Sequence, residues 1–205
     1  MTVNRHSRRR LISLPAVLAI LSSCSEIPIG DSPRELLDKD TAATISVVGR
    51  PLVFAHERPE RAAHMRDYIT LTAAAVDRGG RIEYDVIAYF WTTFDPHGLE
   101  GEPFKERAAG REPKPLAIAA DDRRILLQPA ASNAHDAGIG GALGAPPAHS
   151  TTPEVYATDL PTLRFLAAAH HLSVLADADD PSSNFELWAD HRAALRQLVR
   201  LLNGE

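Results

Sequence analysis

The stretch DYITLTAAAVDRGGRIEYDVIAYFWTTF, residues 67–94, reads as two β-strands and a tight turn. Asp67 to Val76 and Arg81 to Phe94 are rich in β-branched and aromatic residues. Asp77-Arg78-Gly79-Gly80 between them has the composition of a hairpin turn. Side chains alternate across a strand, so Ile82, Tyr84, Val86, Ala88, Phe90 and Phe94 share one face of the second strand. Ile69, Leu71, Ala73 and Ala75 share one face of the first. Burying both sets together requires a register whose paired residue numbers add to an odd value. On the opposite face Arg81, Glu83 and Asp85 suit water, whereas Ile87, Tyr89 and Trp91 do not. A downstream helix covers that apolar end, or a partner or ligand does, and left uncovered the three residues form a candidate contact surface.

Outward from this hairpin the period stays near two. Thr44 to Val48 and Pro51 to Ala55 read as strands around Gly49, and Pro115 to Ala120 with Arg124 to Pro129 as a second hairpin around Asp121-Asp122-Arg123. Residues 95–113 read as a polar loop, and the small, Pro/Gly-rich 130–153 as a flexible one. Glu154 to Thr158 is a short strand, and Asp159 caps a helix with Leu163, Leu166 and Ala167 on one face. Leu172 to Ala176 and Phe185 to Trp188 pair across a turn. Asp190 then caps a last helix striped by Leu195, Leu198, Val199 and Leu202. The expected architecture is a single α+β domain over 43–205: a mainly antiparallel sheet of hairpins with two C-terminal-region helices packed on one face.

The chain has 205 residues, 44% of them hydrophobic, and a formal net charge of −5. An acidic balance excludes a nucleic-acid binder, which needs a basic face. A single cysteine excludes an intramolecular disulfide framework and any multi-cysteine zinc module. Residues 1–10 hold four arginines and no acid, and the apolar run Leu11 to Leu21 is eleven residues, about half of a bilayer span. This is the grammar of an export signal over residues 1–23.

Leu21-Ser22-Ser23-Cys24 resembles the lipobox of bacterial lipoproteins, an aliphatic residue and two small ones before the cysteine. The resemblance implies cleavage before Cys24, diacylglycerol on its thiol and a palmitate-type acyl chain on its amino group. Two or more chains anchor stably. Ser7-Arg8-Arg9-Arg10-Leu11-Ile12 resembles the twin-arginine export motif. Ser25, in place of aspartate, points by the same resemblance to the periplasmic face of the outer membrane. Cleavage would leave 18 basic against 27 acidic side chains, a net −9, which predicts a domain standing off anionic lipid. Residues 24–42 read as the lipidated cysteine, a tether from Ser25 to Asp31 and a short helix, since Ser32-Pro33-Arg34-Glu35 has capping-box spacing.

Motifs for catalysis are missing: no G-x-S-x-G, P-loop, H-E-x-x-H or EF-hand loop occurs. No cofactor is implied. His170-His171 suits the C-terminus of a helix more than a metal, because adjacent helical side chains diverge by about 100°. Asp95 and His97 lie just past the long second strand, and His56, Glu57 and His64 bracket a connection able to approach them. His135, Asp136 and His149 fall in the flexible segment, with no metal-ligand spacing. Glu83 and Asp85, about 7 Å apart on one strand face, read as a solubility device.

Gly49-Arg50-Pro51-Leu52, Asp67-Tyr68 and Trp91-Thr92-Thr93-Phe94-Asp95 together resemble small, uncharacterised lipoproteins of Gram-negative bacteria. That likeness covers about half of the mature chain, implies an envelope location and carries no activity to any residue. The expected function is a membrane-anchored envelope lipoprotein acting as a non-enzymatic accessory or binding module. Its partners would be the membrane, through lipid on Cys24, and another envelope protein. The alternative is a periplasmic hydrolase or metal-dependent enzyme with a site near Asp95 and His97.

Overall fold

A computed structural model describes residues 30–39, 41–59, 64–92, 113–131, 137–139 and 153–205. Its centre is the hairpin of β4 (Arg66–Arg78) and β5 (Arg81–Thr92), closed by Gly79 and Gly80 with φ of +66° and +92°. Two successive positive φ values match the right-handed twist of the flanking strands and favour glycine. The Gly80 N–H also donates to Asp77 Oδ1 at 2.6 Å. The register follows the odd rule, as in Ile69 opposite Phe90 and Leu71 opposite Ala88.

The other strands are β1 (Arg34–Leu37), β2 (Thr44–Val47), β3 (Leu52–Glu57), β6 (Leu116–Ala120), β7 (Arg123–Ala131), β8 (Glu154–Thr158), β9 (Leu172–Leu175) and β10 (Asn184–Ala189). Two helices, α1 (Leu160–Ala168) and α2 (Arg192–Leu202), follow β8 and β10. Every pairing is antiparallel. The order β4-β3-β10-β9-β6-β7-β8-β5 returns to β4, so eight strands close into a barrel. The β1–β2 hairpin continues along β4, whose first half pairs with β3 and second half with β2.

This corrects the expected α+β fold. The chain is mostly β, and its helices do not cover a sheet face. The sheet buries its apolar face against itself: Leu52, Phe54, Ile69, Leu71, Val86, Ile118, Tyr156, Val174 and Phe185 form one interior cluster. Leu163, Leu166, Leu195 and Leu198 join that cluster from the helices, which close one end of the barrel. Closure removes open sheet edges, which an open sheet must protect by other means. The capping-box spacing at Ser32 is also overridden, because residues 34–37 form strand β1, paired from Arg34–Val47 to Leu37–Thr44. A cap contributes about 1 kcal/mol, less than a ladder together with the burial around it.

A second cluster lies on the outer face of β4 and β5. Ile45, Val47, Ala74, Val76, Ile87, Tyr89 and Val155 pack there with Ile139. Ile139 belongs to the segment expected to be a flexible loop. Its side chain is fully buried, and Arg78 donates to the Ala137 carbonyl at 2.6 Å.

Candidate contact surface

Between the barrel and its helices there is little room. The cavity between barrel and helices measures about 20 Å³, is lined by Leu71, Ala73, Val86, Ile118, Leu163 and Leu195 among others, and has the volume of about one water. That cavity is too small for anything larger than water.

On the outside of β10, β3 and β4 the sequence builds an aromatic shelf. Tyr68 and Trp91 are directly opposed in the β4–β5 ladder, and their rings stack with centroids 4.2 Å apart and planes 13° apart. Ala55 of β3 pairs with Tyr68 on one side and Glu186 on the other. Its small side chain lets Trp188 of β10 reach Tyr68 across the intervening strand, edge to face, at 6.4 Å. The Arg66 guanidinium sits 4.4 Å from the Trp188 ring centroid and donates to Glu57 Oε1 at 3.0 Å. That hydrogen bond holds the Arg66 guanidinium above its usual pKa. The Trp91 indole N–H donates to Thr70 Oγ1 at 2.9 Å, so its one polar atom is satisfied. Tyr68 is buried between its neighbours, while Trp188 remains 56% exposed.

Of the three residues named for a contact surface, Trp91 joins this shelf. Ile87 and Tyr89 lie in the outer cluster and are buried, and burial pushes the Tyr89 phenol up. Trp188, Tyr68 and Arg66 were missed. The available signal was that Trp188 falls on the opposite face from Phe185, the core residue of its strand.

The candidate polar residues that are described do not converge. Cys24, Asp95, His97, His135, Asp136 and His149 lie outside the described residues. The His56 ring packs against Phe185 at 5.3 Å, with Nδ1 donating to the Asn184 carbonyl at 2.7 Å. Glu57 is occupied by Arg66. His170 and His171 donate their backbone N–H groups to Asp121 Oδ1 at 2.9 and 2.8 Å, which holds that carboxyl below its usual range. A shallow cleft of about 320 Å³ runs beside them, with Ser173 and Glu186 in its wall. Among the described residues no three His, Cys, Asp or Glu side chains are placed to hold a metal.

Two acids are buried elsewhere. Asp67 pairs with Arg58 Nε at 2.7 Å, and its second oxygen has no hydrogen-bond partner among the described residues. Asp85 is buried on the outer face, and its carboxyl is pushed up to about 6. Desolvation is the main cause, repulsion from Glu83 adds to it, and Arg78 opposes both.

No protein-family model matches the chain, and neither a curated protein nor a solved structure does. Among the described residues no helix is long and apolar enough to cross a membrane.

Proposed function

We propose that this chain is a lipid-anchored envelope protein, held through Cys24, whose barrel works as a non-enzymatic binding module. The observation that carries the binding half is the shelf of Trp91, Tyr68, Trp188 and Arg66. Trp, Tyr and Arg are the residue types that dominate binding energy at protein contacts. An exposed tryptophan held in place by an edge-to-face tyrosine and an overlying arginine loses little side-chain entropy on contact.

Two measurements test it. Cys24→Ala is expected to move the protein from the membrane to the soluble fraction, and unchanged membrane association overturns the anchor. A photo-crosslinking residue at position 188 is expected to give one discrete protein adduct in cells. The same residue at 126, where the native leucine is 50% exposed, should give none. Equal adducts at both positions, or none at either, overturn the shelf as the binding surface.

A further inference from the structure

We propose that the helical cap is the membrane-facing end of the barrel, where Arg164, Arg196 and Arg200 meet anionic phospholipid headgroups. This rests on the lipid-anchored reading above. The first described residue, Gly30, lies against the Gly49 turn: a Cβ on Gly49 would fall 2.5 Å from the Gly30 carbonyl oxygen. Arg50 pairs with Asp31 at 3.8 Å and lines the small cavity with Leu163, Leu166 and Leu195 of the helices. Pro51 accepts a hydrogen bond at 2.7 Å from His191 Nδ1, at the start of α2. The chain therefore enters the domain at the helical end.

From Cys24 to Gly30 is six residues, which reach at most about 20 Å. The 13-residue strand β4 alone extends about 43 Å. So short a connection cannot let the far end of the barrel turn toward the bilayer.

The charge on that end suits a phospholipid surface. Neither helix contains an acidic residue, and together they carry four arginines. Arg192 is held by Asp190, but Arg164, Arg196 and Arg200 make no ion pair among the described residues. Arg164 donates to Asn203 Oδ1 and Arg196 to the Ala167 carbonyl at 3.1 Å, both neutral acceptors, and only Arg196 also feels the Asp190 carboxylate. Leu201, beside Arg200, is 41% exposed. Nearby acids have partners of their own: Asp31 has Arg50, Asp159 caps α1, Asp121 accepts from the His170 and His171 N–H groups, and Asp190 pairs with Arg192. Glu205 stands at the chain's end. The chain as a whole is acidic, but charges farther than about 8 Å from the headgroups are screened at physiological salt. The face that meets the bilayer outweighs the net charge, so this domain rests on the membrane where its composition alone predicts that it stands off.

The test uses the full chain, purified from membranes and placed in vesicles of phosphatidylcholine alone or with about 30% phosphatidylglycerol. Arginines are modified with a glyoxal reagent and read by peptide mass spectrometry. Modification of Arg164, Arg196 and Arg200 is expected to fall about fivefold on the anionic vesicles, and about 0.5 M salt should restore it. Arg66, at the opposite end of β4, should react equally on both. Equal modification of the three on both vesicle types, or equal protection of Arg66, overturns the docking. The same digest reports the mass of the Cys24 peptide. A bare thiol there defeats the anchored reading itself, whereas acylated Cys24 with unprotected arginines defeats only the orientation.

Discussion

Replacing Asp85 by asparagine should remove most of a pH-dependent loss of stability. In the folded chain this carboxyl is pushed from its usual 3.8 up to about 6, chiefly because burial under the outer cluster strips its water. The pKa is higher folded than unfolded. Below about pH 4 both states hold the proton and the group contributes nothing. As pH rises from 4 through 6 the unfolded chain releases its proton first, so stability is lost, and above 6 the penalty is complete. Each pH unit corresponds to 1.36 kcal/mol, which bounds the penalty at about 3 kcal/mol, and residual solvent contact reduces it to nearer 2. The substituted amide does not titrate, and whatever it costs is the same at every pH. Urea unfolding of both chains at pH 4 and pH 7.5 isolates the effect as a double difference, in which every other carboxylate cancels. The variant should gain about 2 kcal/mol relative to the parent between the two pH values. A double difference near zero would refute the argument that the carboxylate is desolvated, and one of opposite sign would mean that Arg78 outweighs burial.

Three further outcomes follow from named contacts. Arg58→Ala leaves the Asp67 carboxylate buried without its 2.7 Å partner, and unfolding free energy should fall by about 3 kcal/mol or more. Gly49→Ala puts a methyl 2.2 Å from the Ser32 carbonyl oxygen, a backbone atom unable to move cheaply. Residues 30–32 should detach, seen as faster proteolysis ahead of β1 and a loss of about 1–3 kcal/mol. Trp188→Ala removes an exposed ring, so stability should drop by under about 1.5 kcal/mol while the near-ultraviolet circular dichroism of the aromatic cluster falls sharply.

What could be read in advance was local. The β4–β5 hairpin declares itself because only glycine adopts +66° and +92° in succession without cost, and its register parity follows from which faces must be buried. The pairings that close the barrel join residues far apart in sequence, such as Val86 with Tyr156 and Phe54 with Leu187, and no turn announces them. Period-two patterning marks one apolar face per strand, which an open sheet and a barrel share. Trp188 illustrates the same limit, since its place on the shelf depends on Ala55 of a distant strand being small. The element lengths in the structure do discriminate. Helices of nine and eleven residues are about 14 and 16 Å long, whereas a 13-residue strand is about 43 Å. Two such helices cannot cover a sheet whose longest strand is that extended, but they do match the narrower mouth of a barrel. The apolar face left over had to be buried by the sheet itself, and eight strands are enough to close a barrel that side chains can fill.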